Sequence, residues 1–196
     1  MNFIEEQKKN AKCFEISDQM IEKYIVERTV CIIKEKISYA INCNKNNVLI
    51  IGICSVPMDR DYDSDYGFAV YLDSIPKDYL EYNIWDYYNG GYKTYAPLTS
   101  LYDSNKGLGE FCSKYKYNLD YSSFRKKLED FDKRVISGHI TLNNIEKKVY
   151  QEVMNLGVKN AEICMKFGWM GYKRKSIFSF SKTLLNSYKI YFDISW

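Results

Sequence analysis

The sequence predicts a single α+β domain over residues 1–196, with a central, mainly antiparallel sheet built around a hairpin at 48–72. A long N-terminal helix and two later helices pack on that sheet. Three patterns carry this reading. Apolar residues recur in steps of three and four between Val26 and Ile41. Two apolar runs flank a short acidic stretch near residue 60. A clean alternation of apolar side chains closes the chain at 188–194. At 196 residues, 46% hydrophobic and 27% charged, the chain is long enough to bury a core.

The first helix is predicted over 18–41, with Ser17 or Asp18 as its cap. Val26, Val30, Ile33, Ile37 and Ile41 then form one stripe, and Asn42, Asn44, Asn46 and Asn47 end it in a turn. Val48-Leu-Ile-Ile-Gly-Ile-Cys54 is apolar on both alternating faces, as a strand covered on both sides would be. Tyr66-Gly-Phe-Ala-Val-Tyr-Leu72 is a second strand. The acidic stretch between them is too short for a crossover helix, so the two form a hairpin.

Ser74-Ile75-Pro76 opens a short helix spaced by Leu80, Ile84 and Tyr88 and stopped by Asn89-Gly90-Gly91. Residues 92–119 are expected to be irregular. Phe124, Leu128, Phe131 and Val135 define a helix ending near Gly138. Ile145, Val149, Val153 and Leu156 define another, with Asn143 and Glu146 spaced as a capping box and Gly157 as its stop. Ile177-Phe-Ser-Phe180 and then Tyr188, Ile190, Phe192 and Ile194 read as strands, the last with one wet face.

Charge and composition narrow the function classes. The net charge of +3, from 28 basic and 25 acidic residues, lacks the clustered basic footprint of a nucleic-acid binder; Lys173-Arg174-Lys175 is its densest basic run and reads as a solvated turn. The N-terminal residues carry no apolar signal-peptide core, and no apolar run approaches the roughly 18 residues of a membrane span. The expected location is the cytoplasm. The six cysteines, none in CxxC spacing, are there expected to stay reduced as small core residues. Aromatic residues reach 16%, with 19 tyrosines, a side chain suited to contact surfaces.

Chemistry is constrained by a single histidine, His139, in a Gly138-His139-Ile140-Thr141 turn. Most acid–base and metal chemistry near neutral pH leans on histidine, so the expected role of this one is a surface turn. Asp59, Asp61, Asp63 and Asp65 place oxygen atoms at every second residue, as a calcium loop does. Ser64 stands where that loop needs glycine and Val70 where it needs a bidentate glutamate, so no metal site is expected.

Two resemblances follow from quoted residues. Val48-Leu-Ile-Ile-Gly52-Ile-Cys54-Ser55, then Ser64-Asp65-Tyr66-Gly67-Phe68-Ala-Val70, resembles the nucleotidyltransferase (polymerase-beta-like) core. That resemblance implies phosphate held near Ser55 and a divalent metal on Asp65, with Ser64 beside it in the nucleotide and metal site. Cys54 replaces the glycine before the serine, and Gly67 replaces the second metal carboxylate. Separately, the order of helix, hairpin, aromatic segment, paired helices and final strand is similar to small immunity proteins of bacterial polymorphic toxin systems. Gly67-Phe-Ala-Val-Tyr71 and Tyr92-Lys-Thr-Tyr95-Ala-Pro97-Leu-Thr-Ser-Leu-Tyr102 carry that likeness. It implies a non-enzymatic protein that binds and blocks a cognate toxin.

The expectation is therefore a binding or inhibitor protein with no cofactor and no nucleic-acid or membrane partner. Tyr87, Tyr88, Tyr92, Tyr95 and Tyr102, with Asp61 and Asp63, are expected to form its contact surface. The alternative is an inactive nucleotidyltransferase-fold protein binding nucleotide and divalent metal through Ser55, Ser64 and Asp65. An antiparallel hairpin at 48–72 favours the first; parallel strands around a helix favour the second.

Overall fold

The computed structural model describes residues 16–57, 66–72, 91–94, 98–170 and 185–196. In chain order the described elements are α1 (Asp18–Asn42), β1 (Asn47–Pro57), β2 (Tyr66–Tyr71), β3 (Gly91–Thr94), α2 (Leu98–Tyr102) and α3 (Asn105–Tyr115). They continue with α4 (Tyr121–Ile136), α5 (Asn143–Met154), β4 (Asn160–Met170) and β5 (Leu185–Ser195). The α+β class and the long N-terminal helix stand as the sequence predicts.

The sheet has five strands in the order β2-β1-β5-β4, with β3 also on β1, and every pairing is antiparallel. The 48–72 hairpin is present, with Leu49 opposite Tyr71 and Cys54 opposite Tyr66. Cys54 also pairs with Thr94, so β3 lies on the edge of β1 opposite β2. That is the edge β5 occupies only as far as Ile51, opposite Tyr191. Beyond that point β5 stays with β4 down to the Met170–Leu185 pair.

One face of the sheet is the floor of the core. Register places Val48, Ile50, Ala161, Met165, Ile190, Phe192 and Ile194 on it, all buried. Gly52 belongs to this face for a steric reason. A Cβ there would lie 2.8 Å from Leu101 Cδ1, so the absent side chain is what lets α2 sit against the sheet. Leu49 and Ile51, on the opposite face of β1, are buried as well, as the doubly apolar run predicts. On β5 that opposite face is not simply wet, because Tyr191 is buried there and its hydroxyl donates to Glu162.

The helices form for local reasons. Ser17 caps α1 by accepting from the Met20 N–H. Asp120 caps α4 by accepting from the Ser122 and Ser123 N–H groups. Phe124, Leu128, Phe131 and Val135 all turn inward from α4; burying each such side chain stabilises the fold by about 1.5–3 kcal/mol. The helix stops at Gly138, whose φ of 78° lets the His139 N–H reach back to the Arg134 carbonyl and its own N–H to Val135.

Three expectations are corrected. The 92–119 segment is not irregular; it holds the end of β3, α2 and α3, with Ser104 accepting from the Gly107 N–H to start α3. The Asn143/Glu146 capping box does not form: the residue at the cap of α5 is Leu142, with no side-chain bond. Glu146 instead accepts from the Met165 N–H on the edge of β4 away from β5, supplying a partner to an edge strand. Strand β4 itself was not anticipated. On α1 the deepest positions are Ile21, Tyr24, Ile25, Thr29, Ile33 and Ala40, whereas Ile41 is 51% exposed, so the buried stripe lies to one side of the predicted one. The acidic 59–65 loop, the helix from Pro76 to Tyr88, the Lys173–Lys175 run and the strand at 177–180 fall outside the described residues, the final Asp65 of that loop included.

Candidate functional site

An open groove of about 1000 Å³ lies between α1, α3 and α5. Its floor is apolar. Val26 and Val30 of α1 and Phe111 of α3 are buried there, and Phe111 packs edge-on against Tyr24 and Tyr115 at 5.4 and 5.1 Å. The predicted α1 stripe thus has a use: Val26 stays in the main core, Val30 lies outside it, and both line the groove.

The walls are charged and tied across the helices. Glu27 accepts from the Lys114 ammonium at 2.8 Å and from the Tyr115 hydroxyl. The Lys23 ammonium stands 3.3 Å from the Tyr115 ring centroid, on its electron-rich face. Arg28 reaches Glu110 at 3.4 Å, and Lys148 of α5 reaches Glu22 at 3.4 Å. Arg28 also crosses Gly107 so closely that a Cβ there would meet its Nε at 2.7 Å. Glu27, and next the Tyr115 hydroxyl, hold the Lys114 ammonium above its ordinary pKa. Lys34 and Glu152 line the groove without an ion pair among the described residues. Solvated pairs of this kind contribute about 0–1 kcal/mol each, so they order the rim more than they hold the fold.

Two buried polar clusters lie beneath. In the first, the Tyr24 hydroxyl donates to the Tyr102 carbonyl at 2.9 Å and the Thr29 hydroxyl donates to the Ile25 carbonyl at 2.8 Å. The Thr29 proton being used, the Tyr102 hydroxyl donates to Thr29 Oγ1 at 2.8 Å. Burial pushes the Tyr24 phenol up to about 12 and Tyr102 higher still. In the second, Asp132 of α4 accepts from the Tyr188 hydroxyl of β5 and from Thr99 Oγ1 of α2. No buried side-chain nitrogen or oxygen among the described residues lacks a partner.

The sequence-predicted site residues fare unequally. Tyr102 is not a contact tyrosine: it is 1% exposed, with its ring edge-on to Phe68 at 6.0 Å. Spacing inside α2 turns it inward. Tyr92 lies in β3 opposite Val56, and Ser55 in β1 opposite Lys93. Tyr87, Tyr88, Tyr95, Asp61, Asp63, Ser64 and Asp65 lie outside the described residues. His139 is an exposed turn residue, with Nδ1 2.6 Å from Ser137 Oγ. That contact joins neighbours in one helix-ending turn, and Ser137 Oγ also reaches the Arg134 carbonyl at 3.2 Å. Cys164 is buried, while Cys31, Cys43 and Cys112 are half-buried, and all four are free thiols. Burial, and then Glu35, push the Cys31 thiol up, opposite to what a reactive thiolate needs.

Among the described residues no three histidine, cysteine, aspartate or glutamate side chains converge as metal ligands do, and no helix is long and apolar enough to cross a membrane. No signal in the sequence singled out the groove, because its charged residues read as an ordinary solvated helix face. No family model, curated protein or solved structure matches the chain.

Proposed function

We propose that this chain is a non-enzymatic binding protein of the immunity type, neutralising a cognate bacterial toxin by direct contact through the α1–α3–α5 groove. The groove's composition carries the reading. An apolar floor of Val26, Val30 and Phe111 inside a rim of arginine, lysine, glutamate and tyrosine has the layout of a protein–protein contact. Arg28 and Tyr115 are the residue types that dominate such contacts when a partner removes them from water. The mixed charge of the rim suits a partner surface of both signs rather than a polyanion. The antiparallel β1–β2 pairing favours this reading over the nucleotidyltransferase one.

Co-expression with the product of the adjacent gene tests it. The proposal expects a complex that co-purifies and a cell that survives a product otherwise toxic. Neither complex nor rescue would remove its support. The nucleotidyltransferase alternative is tested on the same preparation, where it requires a nucleotide and Mg²⁺ to raise the melting temperature together.

A further inference from the structure

Asp132 is a carboxyl group enclosed by protein. It is 6% exposed, and its two oxygens accept from the hydroxyls of Tyr188 and Thr99. The groups facing it are few. From α2 comes Thr99, and from β5 comes Tyr188, whose ring is covered by Phe167 of β4 at 4.9 Å. The charges nearby on α4 are engaged elsewhere: Arg134 with Asp18 of α1, Lys133 with Asp130, and Arg125 with Asp103 and Glu129. Among the described residues no cation lies within ion-pair distance of Asp132. A buried carboxylate is ordinarily matched by a positive charge, and this one is matched by two hydroxyls and the Thr99 N–H, with no countercharge.

We propose that Asp132 is a pH-responsive latch, holding α2 against α4 and β5 while its carboxyl is neutral and loosening α2 when it ionises. The neutral acid suits the enclosure: one oxygen still accepts from Thr99, and a proton on the other reverses the Tyr188 bond, so that Asp132 donates to the phenol oxygen. Ionisation puts an unmatched charge into the same space. Burial outweighs the hydroxyl bonds and moves the group's titration upward. A folded-state pKa above the unfolded one means that the fold binds this proton more tightly than the unfolded chain does. The stabilisation is therefore complete below the ordinary carboxylate range and lost as pH rises through the raised value. Release of α2 would be felt widely, since Leu101 packs on Gly52 and Tyr102 bonds Tyr24 and Thr29 of α1. This inference does not depend on the binding reading.

The test is amide hydrogen exchange over residues 98–104 at about pH 5 and about pH 8, corrected for the intrinsic chemical rate, in the full chain and in Asp132→Asn. Asparagine copies the neutral acid. The latch predicts that protection in the parent falls about tenfold for each unit by which the raised pKa exceeds about pH 5, and stays within about twofold in Asp132→Asn. Protection over 124–131 stays level in both. Constant protection in the parent, or an equal fall in the variant, overturns the proposal. A carbon-13 titration of the parent's Asp132 carboxyl gives a second measure that needs no variant. A midpoint above the ordinary aspartate value supports the latch, and one at or below it refutes it.

Discussion

Tyr102 separates a core role from a contact role, and its hydroxyl chain sets the magnitudes. Thr29→Val keeps the shape but orphans the Tyr102 hydroxyl, which donates to Thr29 Oγ1 inside the core. A stranded buried donor costs about 1–3 kcal/mol. Tyr102→Phe removes the donor and leaves Thr29 still bonded to the Ile25 carbonyl, at about 0.5–1.5 kcal/mol. The double variant strands nothing, so it should be no less stable than Thr29→Val alone. The two changes should therefore couple by about 1 kcal/mol. Urea denaturation of the four proteins measures this, with melting shifts of about 2–4 °C per kcal/mol as a check. Strict additivity would refute the hydroxyl chain. A Tyr102→Phe protein of unchanged stability that loses its partner would return Tyr102 to the contact surface.

Glu146→Ala should expose the edge of β4. The Met165 amide, which Glu146 now caps, should exchange faster, and stability should fall by about 1.5–3 kcal/mol because the acceptor is charged. Asp120, held down to about 2 by the Ser123 and Ser122 hydrogen bonds, should lose its cap only in strong acid. Since its folded pKa is depressed, its contribution is present above the ordinary aspartate value and fades as pH falls through about 2. Asp120→Ser, which caps without titrating, should flatten that part of a helicity-against-pH curve. Gly138→Ala should destabilise by about 1 kcal/mol through backbone strain alone, since open space surrounds the missing Cβ at φ 78°. Circular dichroism melts read it directly.

What the sequence made legible was whatever depends on local spacing. The extent of α1, the α4 periodicity, the Ser17 cap, the doubly apolar β1 and the β1–β2 hairpin all follow from local patterns. The misses have a common physical cause. Tyr24 and Thr29 sit at the centre of the α1 face because their hydroxyls find buried partners, and a count of aliphatic residues passes over them. Strand β4 does alternate, with Ala161, Ile163, Met165 and Phe167 apolar and Glu162 and Lys166 polar between them, and its eleven-residue ladder with β5 carries the pairing. Glu146 looked like a cap from sequence spacing alone, yet a tertiary donor, the Met165 amide, wins its carboxylate. The groove was invisible for the same reason: three helices distant in sequence build it.

Lys34→Glu combined with Glu152→Lys tests the central claim most directly, because both residues line the groove and neither is in an ion pair among the described residues. Titration calorimetry with the co-expressed partner should show affinity weakened about tenfold or more, with the melting temperature unchanged. A partner that binds the charge-reversed protein as tightly as the parent would contradict the groove as the contact face.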